Sequence, residues 1–401
     1  MHGASRARKF GDGAVLRIGL LVERQRAYGR RVCEGAAAYA LAHPGISLGM
    51  LEWDDLFSVS ALEGYDAFIV RVLDDRMEKA LRRTGKPVVD IFYGRTRDGF
   101  AVADLDNSAI ANLAAEHFLQ RGFRSFAYCG YEGVRFSDDR RSAFVRRVES
   151  EGFRCQVFPT PRLVIERFAD AVVRSEVFSM TRGESRLLKR WLDALPHATA
   201  VFCSHDLRAH QVLELCRSAG ISVPRRLAIL GVDDDAILCG FTSPTLTSID
   251  PDGSETGRAA VRLAVDLVSG RKASRCLVPP KGLIARGSTE IYPGGPAWLS
   301  DALVFSHQTA SRGIGPSDVF AYVGLSHTTV GKVFRRVRGM TVQDEITRSR
   351  LESACRLLLT TEFSVTEIAR GTGFASPQYF CRAFASAHGV APGEWRRRQN
   401  G

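Results

Sequence analysis

The 401-residue sequence has no P-loop GxxxxGK[ST], no GxGxxG behind its first apolar run, no GxSxG and no HExxH. Nucleotide, serine-hydrolase and zincin chemistry lean on those spacings, so the expectation is a protein that is not an enzyme and needs no cofactor or metal. Its nine cysteines stand singly, with no CxxC and an odd total, which indicates neither a disulfide framework nor a zinc knuckle. The run Cys203-Ser204-His205-Asp206 does not change this, because four adjacent residues at a strand end cannot converge on one ion. No apolar stretch approaches the roughly 20 residues of a membrane span. The basic start MHGASRARKF has no apolar segment behind it. A cytoplasmic protein without a signal peptide or a membrane partner is predicted.

What is present is a globular composition, 45% hydrophobic, with a formal charge of +11. Residues 298–401 hold 13 Lys/Arg against 8 Asp/Glu, a surplus of 5 that leaves 6 for the preceding 297 residues. The C-terminal part is the denser cation and suits a polyanionic partner.

From Arg17 onward, short β-branched runs alternate with amphipathic stretches: RIGLLV, YDAFIV, PVVDIF, SFAYCG, AVFCS and LAILGVD, with helical spacing between them. That rhythm is βαβ and predicts parallel, doubly wound sheets. Residues 14–286 are long for one such sheet and suit two lobes sharing a ligand cleft. Residues 287–297, with Pro293, Gly294, Gly295 and Pro296, read as a linker. Beyond them, over 298–398, only helical spacing remains. The fold class expected is an α/β two-lobed sensor followed by an all-α domain.

The all-α part repeats itself. DVFAYVGLSHTTVGKVFRRVRGMT matches TEIARGTGFASPQYFCRAFASAHGVA, with Ser326 on Ser376, Phe334 on Phe384 and Gly339 on Gly389 at an offset of 50, and Val319 on Ile368 at 49. Each copy reads as a short helix, a glycine turn, a Ser N-cap and a second helix ended by glycine, a helix-turn-helix written twice. A pair of packed α-hairpins without a DNA role is the competing reading for a single copy; repetition in a basic domain favours DNA. On the second helices Val330/Phe334 and Phe380/Phe384 form the buried stripe. Thr328, Lys332 and Arg335, and Gln378 and Arg382, then face outward toward base edges, with Arg336 and Arg338 near the helix end assigned to phosphate. Gln343 to Leu359 reads as one helix of about 17 residues, about 25 Å long, able to hold the two reading helices near one turn of DNA.

Residues Asp318–Arg396, with the pattern IA…GF…S..YF..F…G..P..WR, resemble the AraC-type transcriptional regulators. Pro377, directly after Ser376, and Gly331 depart from a full set of reading side chains. The front part resembles the type I periplasmic-binding-protein fold of LacI-type regulators, on RIGLLVERQRAYGRRVCEGAAAYA, VADLDN, CSHDLRAH, VPRRLAILGVDDDAILCGFTSPTLTSID and LVPPKGLIARGST. LacI-type regulators carry their DNA-binding headpiece first; here the first strand starts near Arg17, so DNA binding is expected of the C-terminal part.

The resemblance implies a transcription regulator, an activator, whose partners are double-stranded DNA, a second copy in a homodimer, RNA polymerase and a small sugar between the lobes, xylose or another pentose. By position in the matching motifs the ligand-binding residues are Asp206 and Asp233, then Arg140, Phe136, Tyr28 and Asn107. Asp206 serves equally as a helix cap and Asp233–Asp235 as a solvated turn, and the sequence leaves both open. A solute-binding protein or a sugar-binding enzyme without a DNA role is the alternative; a steep salt dependence of DNA retention separates them.

Overall fold

The computed structural model describes residues 15–92, 99–161, 180–272, 275–290 and 295–400. They group into two compact units. The second comprises the chain from Arg286 onward with 222–228 and 243–245, and the first comprises the rest.

In the first unit the strands are β1 (Leu16–Leu21), β2 (Ile46–Met50), β3 (Ala67–Val70), β4 (Val88–Asp90), β5 (Ala101–Leu105) and β6 (Ser125–Cys129). They continue as β7 (Cys155–Val157), β8 (Thr199–Cys203), β9 (Leu227–Val232), β10 (Thr247–Asp250), β11 (Arg275–Val278) and β12 (Gly282–Ile284). Between them run α1 (Ala27–Ala42), α2 (Val59–Glu63), α3 (Asp75–Arg83), α4 (Asn107–Gln120), α5 (Arg135–Glu149), α6 (Arg182–Ala194), α7 (Asp206–Ser218), α8 (Ala236–Phe241) and α9 (Gly253–Val268).

Two six-stranded sheets result, ordered β11-β5-β4-β3-β1-β2 and β12-β10-β9-β8-β6-β7. The pairs β1–β2, β3–β4, β6–β8 and β9–β10 are parallel, and β10–β12 is antiparallel. Central strands such as AFIV and TAVFC are buried along their whole length, as parallel strands covered on both faces must be. The chain passes between the sheets after β5, after β10 and after β11, so each sheet is the base of a lobe and three crossings join them.

One close approach fixes the first lobe. A Cβ on Gly35 of α1 would sit 1.9 Å from the Ser254 carbonyl oxygen, and one on Gly257 of α9 would sit 2.0 Å from that of Val32. The two helices therefore touch backbone to backbone, and no side chain fits between them. Gly257→Ala is expected to destabilise this unit by about 1–3 kcal/mol through overpacking, read as a lower midpoint in urea unfolding; an unchanged midpoint would mean that the helices separate at no cost.

The second unit holds α10 (Ala297–Thr309), α11 (Pro316–Val323), α12 (His327–Arg338), α13 (Val342–Thr360), α14 (Val365–Gly371), α15 (Pro377–His388) and α16 (Pro392–Asn400). It has two small cores, one for each repeat. Val319, Val330 and Phe334 pack with Leu299 and Leu303, and Ile368, Phe380 and Phe384 pack with Leu351 and Leu358. The helix α13 serves both, giving Val342 and Ile346 to the first and Leu351, Ala354 and Leu358 to the second. It has 19 residues, longer at both ends than the periodicity suggested; Thr341 and Asp344 form a capping box that sets its N-terminal start.

Part of the stretch read as a linker is structured. Residues 287–289 form a 3-10 turn and Gly287 through Glu290 are buried, while Pro293 and Gly294 lie outside the described residues. Gly287 marks no break there, since its Cβ would meet Pro244 at 2.9 Å. Among the described residues no helix is long and apolar enough to cross a membrane.

Candidate functional site

A narrow cleft lies between the two lobes of the first unit, lined by residues that lie in or follow the carboxyl ends of strands of both sheets, where open parallel sheets place ligands. Glu23 and Arg26 follow β1, Arg71 follows β3, Phe92 follows β4, Asp104 lies in β5, His205 follows β8 and Asp233 follows β9. Tyr28, Asn107, Phe136 and Arg140, expected at the ligand, line the same cavity.

Arg140 is the organising cation. It is 2% exposed, its Nε donates to Asn107 Oδ1 at 2.8 Å, and its Nη1 donates to the Ser204 carbonyl at 2.5 Å. It therefore fastens α5 to the start of α4 and to the end of β8. Its guanidinium also lies 5.2 Å from the centre of the Phe136 ring, which stacks on His205 at 6.0 Å. On the other lobe Arg71 pairs with buried Glu23 and covers the Phe92 ring at 4.3 Å. Aromatic faces and hydrogen-bonding ions thus alternate around one space, the arrangement that a sugar's apolar faces and hydroxyl rim require.

His205 caps α7, its Nδ1 accepting the Arg208 amide at 3.0 Å. Burial and then the Arg26 charge hold its pKa well below 6.5, so the ring is neutral with its proton on Nε2. Asp233 is the converse case. Burial pushes its carboxyl up to about 6, against the opposing pull of Arg140 and Arg26.

Asp206 is the exception among the expected ligand residues, since it does not line the cavity. Its Oδ2 accepts from the Asp235 amide at 2.8 Å and its Oδ1 from Ser248 Oγ at 2.6 Å, with Cys239 Sγ at 3.4 Å. Gly231 leaves it room, for a Cβ there would lie 2.1 Å from Oδ1. The carboxyl props the turn behind Asp233, a turn whose Asp233 and Asp234 have φ of 112° and 44°, values that non-glycine residues hold only when neighbours enforce them. Arg31 of α1 clamps the same turn from the other lobe, donating to the Asp233 carbonyl at 3.2 Å, the Asp234 carbonyl at 3.0 Å and Asp250 Oδ1 at 2.9 Å. Asp206 is therefore a positioning residue, and Asp233–Asp235 is a tethered turn rather than a solvated one.

Glu23, Arg26, Arg71, Phe92, Asp104 and His205 were not singled out from the sequence. The usable signal was positional, since each lies in, or within about five residues of, a buried strand that points at the cleft.

In the second unit the repeated motifs form two reading helices, α12 and α15, of 12 residues each. Ser326 and Ser376 cap them by accepting the Thr329 and Tyr379 amides at 3.3 and 3.2 Å, and Gly339 and Gly389 end them in left-handed geometry. Val330, Phe334, Phe380 and Phe384 are fully buried. Thr328, Lys332, Arg335, Arg336, Gln378 and Arg382 are exposed, and among the described residues none of their cations forms an ion pair. Arg338 departs from its expected phosphate role: its Nη2 and Nε donate to buried Glu345 Oε2 at 2.6 and 3.0 Å. The charge is committed inside the fold because Glu345 has no water to solvate it.

Residues 115–289 match the periplasmic binding protein-like domain and residues 319–398 match the helix-turn-helix domain. The xylose operon regulatory protein of Escherichia coli K12 is 27% identical over 391 residues, 95% of this chain and 96% of that protein. That of Haemophilus influenzae is 24% identical over 95% of this chain and 98% of its own length. The solved structure of the xylose-binding transcription activator xylR superposes with a TM-score of 0.71 at 26% identity, covering 96% of this chain and 98% of that one.

Proposed function

Because this chain is a DNA-binding transcription regulator that joins a periplasmic-binding-protein-like sensor to a C-terminal helix-turn-helix reader, we propose that it activates sugar-utilisation genes in response to a small neutral sugar, xylose or another pentose, held between the sensor lobes. The observation that carries the effector class is charge balance. The cavity lining has three arginines, Arg26, Arg71 and Arg140, against three carboxylates, Glu23, Asp104 and Asp233, with His205 neutral. A ligand with no net charge adds hydrogen bonds there without adding an unpaired buried charge, whereas a sugar acid would leave its carboxylate uncompensated. The relatives named for xylose support the pentose.

Asp233, Arg140 and Asn107 take the hydroxyls, Phe136 lies against a ring face, Tyr28 closes the side, and Asp206 acts through the turn it props. Sugar binding favours the closed sensor, and the effect on DNA is limited to the differential affinity of the sugar for closed over open lobes. On DNA, Thr328, Lys332 and Arg335 of one reading helix and Gln378 and Arg382 of the other meet base edges, and Arg336 meets phosphate. The same reading carries a homodimer, testable by sedimentation of the full chain with and without sugar, a contact with RNA polymerase, and action in the cytoplasm where the DNA lies.

Thermal unfolding of the full chain against pentoses, hexoses and sugar acids tests the effector. A pentose at 100 times its Kd is expected to stabilise by about 2.7 kcal/mol, with sugar acids leaving the transition in place. A shift with sugar acids alone would overturn the neutral-ligand reading. Lys332→Ala and Arg382→Ala are each expected to cost about 1–3 kcal/mol on the cognate site and much less on random DNA; equal losses on both would make them phosphate contacts.

A further inference from the structure

The cations of the reader fall into two sets. Arg338, Arg348 and Arg350 are spent inside the fold, the first two on Glu345 and the third on the carbonyls of Ala310 and Ile314 at 3.0 and 2.7 Å. Arg312 and Arg370 are exposed and, among the described residues, form no ion pair. Neither was expected from the repeat, because they lie outside both reading helices.

Both line an open groove of about 960 Å³ at the seam between the two helix-turn-helix units, Arg312 from the turn after α10 and Arg370 from α14. Tyr379, at the start of α15, lines it too, and so does Gln343. Gln343 also lines a second groove of about 830 Å³ that carries Thr328, Lys332 and Arg335 of the first reading helix. The two grooves therefore meet at Gln343 and run from one reading helix to the other. Among the described residues, no acidic side chain lines either of them.

The seam is closely packed. Gly373 has φ of 81°, and a Cβ on it would lie 2.4 Å from the Ala310 carbonyl oxygen, so the turn of the second helix-turn-helix is seated on the turn that follows α10, which Arg350 braces from α13. Gly313, Gly373 and Ala375 line the groove with almost no side chain, which lets a sugar-phosphate chain approach the protein backbone closely. The spanning helix α13, 19 residues long, is about 28 Å from end to end, close to one turn of B-DNA. Between two successive major grooves read from one side, DNA presents a minor groove edged by phosphates.

We propose that this seam is a phosphate-binding saddle: the DNA backbone crossing between the two major grooves lies across it, with Arg312 and Arg370 each holding a phosphate and Gln343 and the Tyr379 hydroxyl adding neutral hydrogen bonds. The saddle rests on the reading of α12 and α15 as DNA-reading helices. It fixes register and spacing without reading sequence, so its contribution is the same on any duplex.

The test needs no operator. Binding of the full chain to a fluorescent mixed-sequence duplex of about 40 base pairs, measured by anisotropy between about 50 and 200 mM salt, gives a log–log slope that counts phosphate contacts at about 0.9 each. The double variant Arg312→Gln/Arg370→Gln is expected to flatten the slope by about 1.8 and to lose the same factor of affinity on every duplex. Arg312→Lys/Arg370→Lys is expected to keep the slope, and both variants are expected to melt as the parent does because the side chains are exposed. A parent that shows no salt-dependent binding would remove the DNA reading itself. A parent that binds with a steep slope which the Gln variant retains would overturn the saddle alone.

Discussion

Glu345→Gln is expected to lower the stability of the helical unit by about 3–5 kcal/mol, the usual cost of breaking a buried ion pair from one side. The carboxylate is completely buried. Its Oε1 lies 2.9 Å from His307 Nε2 and accepts from Arg348 Nη2 at 2.5 Å, while its Oε2 takes both Arg338 bonds. His307 Nδ1 meets Glu290 Oε2 at 3.1 Å. A carboxylate oxygen within about 3 Å of each ring nitrogen favours the charged imidazole and holds its pKa above 6.5. Glutamine has the same shape, but it would leave three cations facing one neutral amide whose NH₂ repels whichever cation it meets. Urea unfolding of the full chain, with the helical transition recognised as the one that added DNA shifts, reads the effect. A loss below about 1 kcal/mol would mean that these cations reach water in the native state.

The same cluster sets a pH dependence of known sign. Burial alone would raise the Glu345 carboxyl, yet the His307 hydrogen bond and the charges of Arg348 and Arg338 hold it well below the usual range. Its contribution is present above the unfolded value near 4.3 and is lost only as pH falls through the lower folded value. Burial would lower His307, but Glu290 and Glu345 raise it above 6.5. Its contribution is complete below the unfolded value and is lost as pH rises through the folded one. The helical unit therefore loses stability on the alkaline side, and His307→Gln removes that slope. His307, Arg338 and Arg348 already face three carboxylates, Glu290, Glu345 and Glu352, so a divalent cation at Glu290, His307 and Glu345 would add charge where balance exists.

Elements were legible in the sequence where one local pattern decides them. The βαβ rhythm located six of the twelve described strands, β1, β3, β4, β6, β8 and β9, and the duplicated serine caps and terminal glycines gave α12 and α15 almost residue by residue, because capping depends on neighbours three or four positions away. The cavity was half legible. Arg140 and Asn107 meet across 33 positions, and Glu23 and Arg71 across 48. Nothing local distinguishes a strand-end arginine aimed at a ligand from one that is solvated. Asp206 and Arg338 show the converse. Each occupies a position where its type suggests an external contact, and each is claimed by a buried partner from another element, Ser248 and Glu345 respectively, that periodicity does not reveal.

Arg140→Ala is expected to weaken effector binding by about 30-fold or more, since removing one member of a buried, hydrogen-bonded charge set costs about 2–5 kcal/mol. The loss is compound. The effector loses a donor, Asn107 Oδ1 and the Ser204 carbonyl lose theirs, and Asp233 loses the cation that most opposes its protonation. Asp233→Asn separates ligand contact from scaffold damage, because asparagine tolerates the positive φ that this residue holds and changes only the carboxylate. It is expected to lose affinity while melting, without sugar, close to the parent. In the parent, affinity should fall as pH drops through about 6, where the Asp233 carboxyl gains a proton and stops accepting from two hydroxyls; in Asp233→Asn that fall should vanish. Calorimetric titration of both variants with xylose between about pH 5 and 8 decides the matter. If Arg140→Ala binds within threefold of the parent, the sugar lies elsewhere, whereas loss in Arg140→Ala with full binding and an unchanged pH profile in Asp233→Asn would put the ligand on the Asn107 side of the cavity and away from the β9 turn.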